Sequence, residues 1–391
     1  RPHRLLRWAW PKKGSGQAFF FSLNFRMGVN GTVRRWAQER YICAIFRIIF
    51  SLGACISKFE TAIALTAPFA YIMSFATERS WLLANAMCQM GLFLPFVILP
   101  SLVTGQMYYV DFGWPSGLVL LGAQGLLHGE GFWLRRWLMG GAVLLHGTRM
   151  AFGAFVLFWP FWRADDLPRY RYAKLRFVEM EGQPGQLWPF KMLHDLLQQA
   201  CANMVILACP VVLSCFDVYP QLGGLEAAGF IIWFAAWLFE SAADSQKLYF
   251  SRQTRLLPPK EAATAVIGHP PFDGPAYRLW TLCRHPNYFC EWLAWSGLAL
   301  AAIPSALRHD MGGGGLVATA GVLAMLYCVP RFLYDCLNYW TGAEPAEFFS
   351  TRKRAAYADY QKAVRVFWPF ELPFVDHGRR AGWPRMLKES D

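Results

Sequence analysis

Ionisable and aromatic side chains concentrate in two stretches of this sequence, 240–252 and 280–292, and both adjoin long apolar runs. In the first stretch Glu240 and Asp244 stand four residues apart, so they share one face of a helix, and Lys247 follows as a potential partner for Asp244. Carboxylates at the edge of a membrane are costly unless something pairs with them. The first stretch therefore indicates either a ligand site or a solvated helix end with a local ion pair, and both interpretations stay open.

The second stretch contains the run RHPNY over 284–288. Pro286 suits the first position of a helix, because its missing N–H would have no partner there anyway. Unpaired N–H groups and a partial positive charge make such a helix start attractive to phosphate. Arg284 and His285 lie just before this position. The second stretch therefore predicts a site for a phosphate-bearing ligand.

Asn287 and Glu291 are one helical turn apart, and Glu291 points into an apolar helix. A carboxylate there needs a partner such as ribose hydroxyls, an arginine or an amide. Taken singly, Tyr288 is compatible with an interfacial aromatic belt and His285 with a capping group. The combination of all these residues is more specific than any one of them.

Long apolar segments must position these residues. The chain has 391 residues, of which 55% are hydrophobic and 16% charged, and its mean hydropathy is +0.23. Soluble domains carry about 25% charged residues, so a water-soluble globule is excluded. We expect an all-α protein, a polytopic transmembrane helical bundle of about seven to nine spans with a cofactor pocket in its C-terminal half. The candidate spans are 41–57, 60–76, 82–103, 114–129, 137–162, 190–215, 225–243, 290–307 and 316–340.

The net charge of +12 is concentrated in residues 1–40, which favours contact with anionic lipid headgroups. Nucleic-acid binding is not expected, because the chain offers no soluble recognition domain. The polar connections 163–189, 244–286 and 343–391 are rich in basic residues, and the positive-inside rule places them together on the cytosolic or matrix side. The acid-poor, arginine-rich opening, which begins at Arg1, is also compatible with what remains after an organellar presequence was removed.

The ten cysteines form no CxxC pair and fall mostly within apolar runs. We interpret them as buried thiols and predict no metal site from them.

Several motifs resemble one known family. The run RHPNYFCE over 284–291 closely matches the Arg-His-Pro-Asn-Tyr-Phe-Gly-Glu motif of the steroid 5-alpha-reductase C-terminal-like membrane enzymes, which are relatives of sterol reductases and of isoprenylcysteine carboxyl methyltransferase. Residues 240–250 resemble the family's Glu…Asp-x-Gln-Lys…Phe block. Shorter matches occur at 109–114, 148–150, 166–170 and 357–369. The resemblance covers about 104–371, so we divide the chain into a basic extension with extra membrane helices (1–103), a steroid-reductase-like membrane domain (104–371) and a polar tail (372–391).

The resemblance implies a helical fold that binds NADPH at the cytosolic or matrix face and delivers hydride to a conjugated carbon–carbon double bond. In the methyltransferase branch, a similar His-Pro-x-Tyr element holds S-adenosylmethionine. Carried over by position, the residues around the cofactor are Asp244, Lys247, Arg252, Arg284, His285, Asn287, Tyr288 and Glu291. The proton donor is Tyr288, Asp111, Tyr108 or Tyr109, and we select Tyr288 and Asp111 as catalytic candidates. Cys290 replaces the family's glycine, and a thiol facing the cofactor would weaken binding.

Three functions follow as hypotheses. The first is an NADPH-dependent membrane reductase of a sterol or other lipid. The second is a weakly catalytic or non-catalytic accessory subunit of a larger membrane assembly, for example a mitochondrial respiratory complex, which its N-terminal extension would contact. The third is a methyltransferase that uses S-adenosylmethionine. The expected partners are membrane lipids and a lipid substrate, and the expected location is the endoplasmic reticulum or the mitochondrial inner membrane.

Overall fold

The computed structural model describes residues 76–158, 165–309 and 315–370. These residues form helices, and no strand occurs among them, which confirms the predicted all-helical class. The candidate span 41–57, residues 60–75 of the candidate span 60–76, the basic residues 1–40 and the tail 372–391 lie outside the described residues.

Fourteen α-helices are described, several of them joined by single π-helical or 3₁₀ turns. They are α1 Ala76–Phe93, α2 Leu99–Thr104, α3 Val110–His128, α4 Trp133–Phe158, α5 Pro168–Leu175, α6 Trp188–Cys201, α7 Ala208–Cys215, α8 Gly224–Thr254, α9 Pro259–Thr264, α10 Arg278–Leu282, α11 Pro286–His309, α12 Gly315–Asp335, α13 Ala343–Lys353 and α14 Ala356–Ala363.

Five helical segments of the described chain are long and apolar enough to cross a membrane. Such a length matches the roughly 20 residues that a spanning helix needs. The chain is therefore a membrane protein, while the total of seven to nine spans stays a prediction. The five segments are Glu78–Thr104, Gly185–Cys215, Gly224–Thr254, Pro286–Arg308 and Thr319–Lys353.

Helices α8 and α11 carry the two motif stretches and pack closely against each other. A side chain at Gly229 would lie 2.5 Å from the carbonyl oxygen of Gly297, and one at Gly297 would lie 2.7 Å from that of Gly229. Small residues at a helix–helix contact let the two backbones approach, which is a common solution inside membranes. The two glycines thus bring the site-bearing helices together.

A buried ion-pair network fixes the opposite ends of the same helices. Arg135 of α4 donates from Nε to Oε1 of Glu226 at 2.5 Å and from its other nitrogens to the carbonyl oxygens of Asp217, Tyr219 and Gln221. Arg308 of α11 pairs with Asp217 and, at 2.9 Å, with Glu226. Two guanidinium groups thus balance two carboxylates and tie the connection between α7 and α8 to the bundle.

Replacing Arg135 by methionine is expected to lower the free energy of unfolding by about 3–5 kcal/mol, because Glu226 loses a charged partner in a site from which water is excluded. Denaturant unfolding in detergent micelles measures the change. Arg255, directly after α8, is exposed, so Arg255→Met is the matched control and should leave stability unchanged. An Arg135→Met protein as stable as the control would show that the network contributes nothing.

Candidate functional site

The two motif stretches lie in direct contact. Asn287 at the start of α11 donates from Nδ2 to Oδ1 of Asp244 on α8 at 3.1 Å. Two further bonds join the same segments, since Trp280 Nε1 donates to the carbonyl oxygen of Ala243 at 3.1 Å and the Leu279 amide donates to the Gln246 side chain at 3.2 Å. The C-terminal part of α8 and the start of α11 therefore form one structural unit.

Arg149 of α4 brings a third helix into this unit. Its Nη1 donates to Oδ2 of Asp244 at 2.8 Å, and its Nη2 pairs with Oε1 of Glu240. In the sequence, Arg149 was notable only as part of a short family-like element. Its guanidinium partly offsets the repulsion between the two carboxylates one turn apart.

Glu291 finds its partner in His146, which is fully buried on α4. Nε2 of His146 lies 2.8 Å from Oε2 of Glu291, and Trp295 Nε1 donates to Oε1 at 3.0 Å. The sequence predicted that this carboxylate needs a partner but did not identify His146. The available signal was its spacing, because His146 and Arg149 lie one turn apart within a largely apolar stretch of α4.

Arg284 is fully engaged inside the protein. Its Nε and Nη2 form a fork on the two carboxylate oxygens of Glu347, at 2.7 and 3.1 Å, and its Nη1 donates to the carbonyl oxygens of Gln361 and Val364. Burial alone would lower the pKa of Arg284, but the Glu347 carboxylate outweighs this and raises it. Arg284 therefore holds α13 and the 361–364 segment against the start of α11, and its predicted contact with a cofactor stays a prediction.

His285 connects Glu347 to Tyr288. Its Nε2 lies 2.9 Å from Oε1 of Glu347, and its ring stacks on Tyr288 with 5.1 Å between centroids and 3° between planes. Burial lowers the pKa of His285, and this effect outweighs the attraction of Glu347. The imidazole is therefore neutral near pH 7 and donates its Nε2 proton to the carboxylate.

Tyr288 lines a groove of about 320 Å³ at this end of the bundle. Three basic side chains, Arg169, Lys353 and Arg354, share the same lining. Of the residues predicted to surround the cofactor, Tyr288 alone belongs to the lining of this groove in the described chain. The groove is suited to an anionic group, because its charged side chains are all basic.

Asp111 lies beside the groove, where it contacts Tyr170 and Arg169. It accepts a hydrogen bond from the Tyr170 hydroxyl at 2.8 Å, and its Oδ2 lies 3.6 Å from Nη2 of Arg169. Burial by itself lowers the pKa of Arg169, but Asp111 reverses the shift and raises it, so this side chain stays cationic. Burial raises the pKa of Tyr170. Asp111 thus orients a groove cation, and its catalytic role stays a prediction.

The loop before α5 holds the segment that precedes α3. Asp166 accepts from the backbone amides of Met107 at 2.7 Å and Tyr108 at 3.1 Å, and burial raises its pKa. The Tyr108 and Tyr109 rings stack on each other with centroids 4.3 Å apart, and both are buried. These tyrosines therefore pack just before α3, and their role as proton donors stays a prediction.

The remaining candidates lie toward the surface or inside the packing. The Lys247 ammonium lies 5.5 Å from the centre of the Trp280 ring, and Arg252 is exposed on α8. Cys290 is buried at 7% exposure in a cluster with Phe289 and Phe367 and is not part of the groove lining. The thiol that replaces the family's glycine therefore does not fill the groove.

The comparisons with known proteins give one match. The model of a family described as a protein of unknown function, DUF1295, matches residues 96–364. No curated protein and no solved structure matches the chain.

Proposed function

The chain belongs to the DUF1295 family, and on that premise we propose that it is a membrane-embedded, NADPH-dependent reductase of a carbon–carbon double bond in a sterol or other lipid. One observation carries the proposal. Tyr288, from the motif that resembles the steroid 5-alpha-reductase C-terminal-like enzymes, shares a groove with Arg169, Lys353 and Arg354. A hydroxyl beside three cations suits a phosphate-bearing cofactor and a polarised acceptor.

The residues fit the phosphate-bearing end of a dinucleotide. NADPH carries three phosphates, and arginine and lysine are the side chains that bind phosphate most often. The groove is at the lower end of the range for ligand pockets, roughly 300–1,000 Å³, and so matches one nucleotide half. Lys247 and Arg252 lie on the exposed end of α8, where they are available to the other half of NADPH.

NADPH, when bound, supplies the hydride. Arg169, Lys353 and Arg354 bind the phosphates, and Asp111 keeps Arg169 in place. The Tyr288 hydroxyl donates a hydrogen bond or proton to the acceptor, with its ring fixed by the neutral His285.

The proposal extends to location and boundaries. Residues 104–371 form the reductase-like unit, and the basic connections face the cytosol or the matrix from the endoplasmic reticulum or the mitochondrial inner membrane. A site on that side of the membrane has access to soluble NADPH and to lipids dissolved in the bilayer. The partners are membrane lipids and a lipid substrate with a conjugated double bond.

A second candidate is an accessory subunit that uses the same fold as a scaffold. It is favoured by the ion pairs within the protein that Arg284 forms with Glu347 and that Arg149 forms with Glu240 and Asp244. Both arginines are thus held by side chains of the protein itself, as expected of residues that stabilise the fold.

The test is NADPH oxidation by the purified full-length protein in lipid nanodiscs, measured with a panel of sterol and lipid enones. We expect NADPH-dependent turnover, and Tyr288→Phe should lower kcat by about 10²–10⁴-fold because a positioned proton donor is lost. Tyr327 is exposed on α12 and is absent from the groove lining, so Tyr327→Phe is the matched control. Absence of turnover with every acceptor, together with co-migration of the protein in a larger complex on a native gel, would favour the scaffold.

A further inference from the structure

We propose that His146, Glu240 and Glu291 form a binding site for one transition-metal dication within the helical bundle. The three side chains come from α4, α8 and α11, and all three are buried. One nitrogen or oxygen atom from each lies within 4.8 Å of the other two. Nothing in the proposed reductase function requires this site, so the inference does not depend on that function.

One carboxylate oxygen of Glu291 and one of Glu240 are each held by a neighbouring donor. Trp295 donates to Oε1 of Glu291, and Arg149 pairs with Oε1 of Glu240. The second oxygen of Glu291 lies 2.8 Å from Nε2 of His146. Metal-binding carboxylates are typically oriented by such donors on their non-ligating oxygen.

The second oxygen of Glu240 provides an independent indication. Oε2 of this residue is buried and no N–H or O–H group of the described chain donates to it, so the carboxyl group, only 4% exposed, can bond to Glu291 only through a shared proton. A buried carboxylate oxygen without a partner is costly. A cation bound between Glu240, Glu291 and His146 would satisfy it.

The charge balance also favours a cation. Three carboxyl groups, those of Glu240, Asp244 and Glu291, surround one guanidinium, that of Arg149, and Glu291 also contacts the His146 imidazole. At the other end of the same helices Arg135 and Arg308 balance Asp217 and Glu226. A dication bound by Glu240, Glu291 and a neutral His146 would supply positive charge to the first cluster, in a region where an uncompensated charge is costly.

The ligand atoms indicate the class of metal. One imidazole nitrogen with two carboxylate oxygens suits Zn²⁺, Mn²⁺ or Fe²⁺, whereas Ca²⁺ and Mg²⁺ prefer oxygen alone. Bonds of about 2.0–2.2 Å to one tetrahedral ion place the ligand atoms about 3.3–3.6 Å apart, so a pair separated by as much as 4.8 Å would close by about 1.2–1.5 Å.

The test is the metal content of the full-length protein, purified in detergent without chelator and measured by inductively coupled plasma mass spectrometry. We expect about one Zn, Mn or Fe per chain, removal by chelator, and a lower apparent unfolding temperature of the metal-free protein that the same metal restores. His146→Ala and Glu240→Gln should reduce the content well below one half. His194 is exposed on α6, so His194→Ala is the matched control and should keep the metal.

Wild-type protein keeps the proposal falsifiable even if the variants do not fold. Folded wild-type protein that contains no metal, and whose unfolding temperature is unchanged by added Zn²⁺, Mn²⁺ or Fe²⁺, would overturn the site. The excess negative charge would then be neutralised by protons on the carboxylates. Metal retained equally by His146→Ala and His194→Ala would overturn it as well. NADPH binding is measured separately, so a failure of the reductase function would leave this result intact.

Discussion

Glu347→Leu is expected to lower the free energy of unfolding by about 3–5 kcal/mol, because the fully buried guanidinium of Arg284 loses its only carboxylate partner in the described chain. His285 loses its acceptor in the same substitution, so its ring is no longer fixed against Tyr288. We therefore expect NADPH binding to be lost as well. Denaturant unfolding and NADPH fluorescence on the same preparation measure the two effects.

Glu344 provides the control for this prediction, because it lies on the same helix and accepts a hydrogen bond from the Tyr172 hydroxyl. Glu344→Gln keeps an acceptor there and should change neither stability nor NADPH binding appreciably. Glu347→Gln keeps the shape of the side chain and separates the loss of charge from the loss of packing. A Glu347→Leu protein with wild-type stability would show that Arg284 does not depend on this carboxylate.

The double variant Lys353→Gln and Arg354→Gln is expected to weaken NADPH binding by about 100-fold or more. Each substitution removes a charge-assisted contact worth about 1.5–3 kcal/mol, and every 1.4 kcal/mol is a factor of ten in the dissociation constant. Both side chains line the groove, so little change in stability is expected from their removal. Binding titrations at two salt concentrations measure the loss, and the variant should show a weaker salt dependence.

Lys362 and Arg278 are exposed basic residues outside the groove lining, so Lys362→Gln with Arg278→Gln removes the same charge elsewhere. This control separates local contacts from a general electrostatic attraction of the basic surface. Equal losses in both double variants would mean that NADPH is attracted by the overall charge and not held in the groove.

The helical class and the joining of the two motif stretches followed from local patterns. Apolar runs long enough to span a bilayer predict helices, because a helix satisfies its own backbone hydrogen bonds where no water is available. Asp244 and Asn287 were each placed by helical spacing and by a motif shared with a known family. Their contact at 3.1 Å is consistent with both stretches lying at the same edge of the membrane.

Local sequence patterns did not predict the partners of these residues. His146 and Glu291 are 145 positions apart, and Arg284 and Glu347 are 63 apart, so no helical period connects them. Arg284 was expected to face phosphate because it lies just before the helix start at Pro286. The basic lining of the groove comes from α13 and from the start of α5, neither of which the motif analysis had assigned to the cofactor.

A titration of NADPH into the purified full-length protein in nanodiscs, followed by the fluorescence of the reduced nicotinamide, tests the central claim most directly. We predict saturable binding to wild-type protein that is lost in the Lys353→Gln, Arg354→Gln variant and retained in the Lys362→Gln, Arg278→Gln control. Folded wild-type protein that shows no saturable NADPH binding would contradict the assignment of the groove as a nucleotide site.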